Sequence, residues 1–166
     1  MYMREIDGQA FIKMITGGAA NLKANAEIIN DLNVFPIPDG DTGENMSMTI
    51  VGGLKHTEGY SEQSIDKAAE ILADGMLMSA RGNSGVILSQ LFAGIAEGLR
   101  GKKTATVSDL ADALKSGVKS AYAAVVNPTE GTILTVAREA IEYSGSRITP
   151  DSTLESFAED YLNEMN

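Results

Sequence analysis

The residues of this chain best suited to chemistry are two carboxylates standing across a glycine, Asp39-Gly40-Asp41. In a turn or an extended backbone that spacing can bring both onto one cation, and hard carboxylate oxygens suit Mg²⁺ or Ca²⁺. An EF-hand is excluded. With Asp39 at the first position, Glu44 falls where that loop needs glycine and Ile50 where it needs glutamate. Mg²⁺ fits better, because it needs few protein ligands and takes the rest from phosphates and water. The prolines at 36 and 38 stiffen the approach and hold it extended. The same Asp-Gly-Asp-Thr-Gly run would also make an Asx turn and a helix N-cap, and on the residues alone the two readings stand level.

Two further connections have the composition of a ligand loop, and each also leads into a helix. Ser79-Ala80-Arg81-Gly82-Asn83-Ser84-Gly85 carries a Gly-x-x-Gly turn with a hydroxyl, which can present backbone N–H groups to phosphate oxygens at a helix N-terminus. It lacks the Gly-Lys-Ser/Thr of a P-loop. An Asn or Ser helix cap is its alternative reading, and Arg81 either adds charge to the site or sits in solvent. Asn127-Pro128-Thr129-Glu130-Gly131-Thr132 is the third loop; taken alone, a proline turn with a Thr or Gly cap is its favoured reading.

The elements that must position these loops are helical. Phe11, Ile15, Leu22, Ala26 and Ile29 form one stripe, with Asp7 as N-cap. A second helix starts near Gly43 and fades before Gly59. A third runs from about Ser64 to Ser79, and a fourth starts near Asn83. Thr106-Val107-Ser108-Asp109 has capping-box form and opens the fifth. The sixth starts near Gly131. Ser152-Thr153-Leu154-Glu155 caps a seventh that reaches the C-terminus. No segment alternates with period two, so no sheet is expected. The pattern predicts an all-α, antiparallel up-and-down helical barrel or bundle over residues 1–166, a single domain. In such a bundle the second, fourth and sixth helices start at the same end, so the three loops can converge on one ligand with three positive helix termini facing it.

Composition narrows the ligand. The formal net charge is −10, which repels a nucleic acid backbone. No cysteine is present, so disulfides and thiolate metal sites are excluded and a reducing, cytoplasmic setting is expected. The apolar runs fall short of a membrane span, and no signal-peptide pattern opens the chain. Hydrophobic residues make up 43% but aromatic ones only 5%, so small aliphatic side chains and eight Met must fill the core.

The string from Asn33 to Asn45, with Ala80 to Gly85 and Asn127 to Thr132, resembles the nucleotide-binding domain of the dihydroxyacetone kinase L-subunit superfamily. Within it the chain is most similar to the N-terminal, ATP-binding domain of bacterial fatty acid kinases. The resemblance covers nearly the whole chain. It implies an α-helical barrel that binds ATP or ADP at one end through two Mg²⁺ ions. Asp39 and Asp41 match the metal-binding carboxylates and would act as ligands rather than general bases. Asn33 is the nearest match to a further metal-binding Asp of the dihydroxyacetone branch, with one extra residue between. That branch has His where this chain has Thr42, a departure that favours the fatty acid branch. Thr42, Gly43 and Asn45 match nucleotide-contacting positions, Asn83, Ser84 and Gly85 the phosphate or ribose loop, and Thr129, Glu130, Gly131 and Thr132 a further loop at the nucleotide. The resemblance also implies an eighth helix and a closing Gly-Val-Val-Asp-Ala-Gly-like loop beyond Asn166.

The implied reaction is transfer of the ATP γ-phosphoryl group to a fatty acid carboxylate presented by a lipid-binding partner protein. Remaining domains of a longer subunit, and a homodimer formed through them, belong to the same expectation. Two acidic side chains alone would repel ATP, so a metal is required on electrostatic grounds. The alternatives are a kinase for small ketones such as dihydroxyacetone and a non-catalytic nucleotide-binding regulatory module. The single histidine, His56, falls at the far end of the second helix and reads as a helix-end residue.

Overall fold

The computed structural model describes residues 3–34 and 38–165. Pro36 and its expected stiffening of the first loop lie outside the described residues. Eight helices are described: α1 (Gly8–Ala24), α2 (Ala26–Asp31), α3 (Thr42–His56), α4 (Ile65–Ser79), α5 (Gly82–Leu99), α6 (Val107–Ala123), α7 (Ile133–Ser146) and α8 (Leu154–Met165).

The local signals place most helix starts. Asp7 caps α1 by accepting a hydrogen bond from Ala10 N at 2.8 Å. Thr106 and Asp109 form the expected capping box of α6, and Thr132 caps α7 with Thr135 completing its box. The stripe from Phe11 to Ile29 is divided, however. At Asn25 the backbone N–H is shared between Asn21 O at 3.1 Å and Leu22 O at 3.2 Å, and the side-chain amide also turns back onto Asn21 O at 2.8 Å, which closes α1 there. Ala26 and Ile29 therefore lie on a separate short helix, α2. The expectation of no sheet also needs a correction. β1 (Glu5–Ile6) pairs antiparallel with β2 (Ala105–Thr106), a ladder too short for alternation to reveal.

Close approaches at glycines give the helix directions. Gly53 faces Met76 and Leu72, while Gly75 faces His56, so α3 and α4 run antiparallel. Gly94 faces Gly117 and Gly98 faces Ala113, so α5 and α6 do too. Lys115 approaches Gly145, and Arg138 lies over Tyr122, which makes α6 and α7 antiparallel. Consequently α3, α5 and α7 all start at one end of an up-and-down bundle. The starts of α1, α4, α6 and α8 gather at the other end. There Gly8 N bonds Gln63 O and Leu154 N bonds Met3 O, each at 2.8 Å.

The core between the helices is aliphatic, as the scarcity of aromatic residues requires. Ile65, Leu72, Met76, Leu99 and Ile141 are fully buried. The α5–α6 seam is lined by three glycines. A Cβ added at Gly94 would stand 2.5 Å from Ser116 O, one at Gly98 2.6 Å from Ala113 Cα, and one at Gly117 2.7 Å from Leu91 O. Among the described residues, no helix is long and apolar enough to cross a membrane.

Candidate functional site at the starts of α3 and α5

The first two loops meet because α3 and α5 lie side by side and parallel. Gly82 and Asn45 touch, and one turn further in Gly85 touches Thr49. Thr49, fully buried, ties the two together: its hydroxyl donates to Asn45 O at 2.7 Å and accepts from Arg81 N at 3.2 Å. The Ser84 hydroxyl reaches Thr42 O at 3.4 Å.

Backbone shape explains two glycines here. Gly40, between the carboxylates, has φ of +67°, a left-handed conformation that costs residues with a Cβ roughly 1–2 kcal/mol. Gly82 has φ of +59°, and a Cβ there would also stand 2.5 Å from Asn45 Nδ2. Gly43 and Gly85 are buried and right-handed, and packing accounts for them. A side chain at 43 would run into Ala26, and one at 85 into Thr49.

The carboxylates are placed differently from each other. Asp39 is exposed and accepts a hydrogen bond from Asn33 Nδ2 at 2.7 Å. An ionised carboxylate only accepts, so the Asn33 amide nitrogen must face it. Asn33 thus steadies Asp39 and keeps its own carbonyl oxygen for another partner. Asp41 is half-buried at the N-cap position of α3, yet its side chain makes no capping bond. The cap is supplied from α2, where Asn30 Oδ1 accepts from Gly43 N at 2.7 Å and more weakly from Glu44 N at 3.4 Å.

Asn45 is only 9% exposed, and its side-chain amide has no hydrogen-bond partner among the described residues. Its amide atoms keep some contact with solvent: among the described residues the fully buried side-chain polar atom without a partner is Ser47 Oγ. It stands where the Asp39-Gly40-Asp41 loop and the Gly82 turn converge. Asn83 is exposed beside it, and Thr42 and Ser84 are half-buried. Among the described residues no group of three or more His, Cys, Asp or Glu could hold a metal by itself. Two aspartates, one of them uncommitted, fit a Mg²⁺ ion that draws its other oxygens from phosphate and water.

The third loop starts its helix at the same end but closes on itself. Thr132 Oγ1 donates to Thr129 O at 2.9 Å, and Gly131 N donates to Thr135 Oγ1 at 2.8 Å. The Glu130 carboxylate takes both nitrogens of the Arg138 guanidinium, at 3.2 and 2.9 Å, and the Thr135 hydroxyl at 2.9 Å. Arg138 in turn lies over the Tyr122 ring. That network gives Glu130 a structural occupation. His56 is exposed at the far end of α3, with Nδ1 against Gly52 O at 3.0 Å, as its position in the sequence suggests.

Asn30 and Thr49 escape a reading of the sequence. Their partners lie 13 and 32 residues away, and neither belongs to a local motif.

Comparison with known proteins matches residues 36–165 to the DAK2 domain family. Protein YloV of Bacillus subtilis is 49% identical over 140 residues, which are 84% of this chain and 25% of that protein. An uncharacterised protein of Staphylococcus epidermidis is 48% identical over 136 residues, 82% of this chain and 25% of the relative. One from Staphylococcus saprophyticus is 47% identical over 138 residues, again 25% of its length. The chain therefore spans about a quarter of the length of these relatives, which carry further sequence outside the matched region. With the family model covering both the carboxylate loop and the Gly82 turn, the chain belongs to the DAK2 domain family, a dihydroxyacetone kinase-like module.

Proposed function

We propose that this domain binds a Mg²⁺–nucleotide complex at the starts of α3 and α5 and presents its terminal phosphoryl group as the donor half of a kinase. The observation that carries the reading is the meeting of a loop with two carboxylates, of which Asp41 makes no capping bond, and a glycine turn at the start of α5, with the Asn45 side chain unpaired between them. Carboxylate oxygens and amide groups left free at a positive helix start suit a cation and the phosphates it carries. Mg²⁺, when bound, bridges and neutralises phosphate oxygens for in-line transfer.

The protein's own residues bind and orient. Asp41 and Asp39 hold the metal, with Asn33 fixing Asp39. Gly82, Asn83 and Ser84 offer backbone N–H and side-chain donors to the phosphates, aided by the positive end of α5. Asn45 and Thr42 close the gap between the two loops. Thr129 to Thr132, at the start of α7, flank the same end of the bundle. In this reading ATP and ADP are the nucleotides, two Mg²⁺ ions are bound, and turnover depends on the portions of longer relatives that lie outside this chain.

For the acceptor we favour a fatty acid carboxylate delivered by a separate lipid-binding protein, over a small ketone. Thr42 stands where the dihydroxyacetone branch of the resemblance has His. Product of the favoured reaction would be an acyl phosphate. The test begins with calorimetric titration of MgADP into the wild type and Asp41→Asn. Micromolar binding that weakens at least tenfold in the variant, and that EDTA abolishes in the wild type, is expected. Equal affinity in the two proteins would sink the metal role of Asp41.

A further inference from the structure

We infer that Asn30 is a positioning residue for the metal, acting by relieving Asp41 of the capping task that its place in the chain would otherwise impose. The inference rests on the nucleotide reading above. An aspartate at an N-cap ordinarily accepts from the backbone N–H two or three residues on, which here are Gly43 and Glu44. Asp41 holds that position and makes no such bond. Both donors point instead to Asn30 Oδ1, at 2.7 and 3.4 Å.

Local packing makes this substitution of caps specific. Gly43 lies against Ala26, so α2 abuts the first turn of α3 with no side chain between them. Asn30 follows Ala26 by four residues, one helical turn, and so presents its side chain on the same face of α2. A neutral amide oxygen satisfies the helix start, and the carboxylate of Asp41 keeps all its lone pairs. Were Asn30 absent, Asp41 would swing onto the Gly43 and Glu44 N–H groups as an ordinary N-cap. A carboxylate so engaged has fewer lone pairs for a cation and points along the helix axis rather than into the loop. Asn33 acts on Asp39 differently, donating to its Oδ1 and so holding that carboxylate in place rather than freeing it.

A double-mutant cycle separates this role from mere tethering of α2 to α3. MgADP affinity would be measured by calorimetry for wild type, Asn30→Ala, Asp41→Asn and the double variant, with thermal unfolding of each without ligand. Asn30→Leu, similar in size and lacking the acceptor, serves as a second variant should Asn30→Ala not fold. Removing the acceptor is expected to weaken MgADP binding about tenfold in the wild-type background and less than twofold in the Asp41→Asn background, the scale of one hydrogen bond. Asn30→Asp, which keeps the oxygen, should bind within about threefold of wild type. Equal losses in both backgrounds, or no loss in either, would overturn the inference even if unfolding temperatures drop. A wild type that does not bind MgADP would instead remove the nucleotide reading, and this inference with it, an outcome recognisable before any variant is made.

Discussion

Replacing Asn45 with alanine should separate binding from stability. Most buried polar side chains hold the fold together through their hydrogen bonds, so truncation costs roughly 1–3 kcal/mol. Asn45 is 9% exposed and has no side-chain partner to lose. Truncation breaks no hydrogen bond and leaves only a small void beside Gly82, a packing loss of about 1 kcal/mol or less. The expected net change is within about 1 kcal/mol. At about 2–4 °C per kcal/mol for a chain of this size, the melting temperature should stay within about 4 °C of wild type. A hydrogen bond from the amide to an anionic phosphate oxygen contributes roughly 1.5–3 kcal/mol, so MgADP affinity should fall about 10- to 100-fold. Differential scanning fluorimetry without ligand and calorimetry with MgADP read the two quantities independently. A drop above about 8 °C without ligand would refute the reasoning, because it would mean that Asn45 stabilises the empty fold.

Thr49→Val makes the contrasting case. It keeps the shape but removes the bonds to Asn45 O and Arg81 N, and should cost about 1–2 kcal/mol in urea unfolding. Glu130→Gln should lower the melting temperature by only about 1–3 °C and change MgADP affinity less than twofold, since its carboxylate is already engaged by Arg138 at an exposed position. Asp66 supplies the pH dependence. The Ser64 hydroxyl, with the N–H groups of Lys67 and Gly101, holds its carboxyl below the ordinary value of 3.8 against the opposing effect of burial. A depressed folded-state pKa adds stability that is present above 3.8 and is lost as pH falls through the folded value. Urea midpoints of wild type and Asp66→Asn should therefore differ at pH 6 and converge as the pH is taken well below 3.8.

What the sequence disclosed was what is local. Asp7, the Thr106–Asp109 box and Thr132 act on groups two or three residues away, so their types and spacing announce the helix starts. The parallel placement of α3 and α5 follows from short connections and alternating direction, and it brings the first two loops together. The break at Asn25 was hidden because the apolar stripe continues across it; only the amide turned back on Asn21 reveals it. The Asn30 cap and the Thr49 tie join segments distant in sequence, and no pattern in either segment specifies its partner. Glu130 shows the opposite difficulty. Its neighbours look like a ligand loop, while Arg138, in the second turn of the next helix, already answers its charge.

The glycine-lined seam between α5 and α6 also bears on the order in which this domain assembles. Its contacts join residues close in sequence, Gly98 with Ala113 and Gly94 with Gly117, so closing that hairpin carries a small loop entropy. The pairing of β1 with β2, by contrast, joins Glu5 to Thr106 across most of the chain. The α3–α4 hairpin is as local as the α5–α6 one, with Gly53 against Leu72 and Gly75 against His56. The glycine turn at Gly82 opens one of these two local pieces and the carboxylate loop opens the other. The two halves of the site thus belong to separate local hairpins, and the docking of α3 beside α5 is the step that creates the place for a ligand.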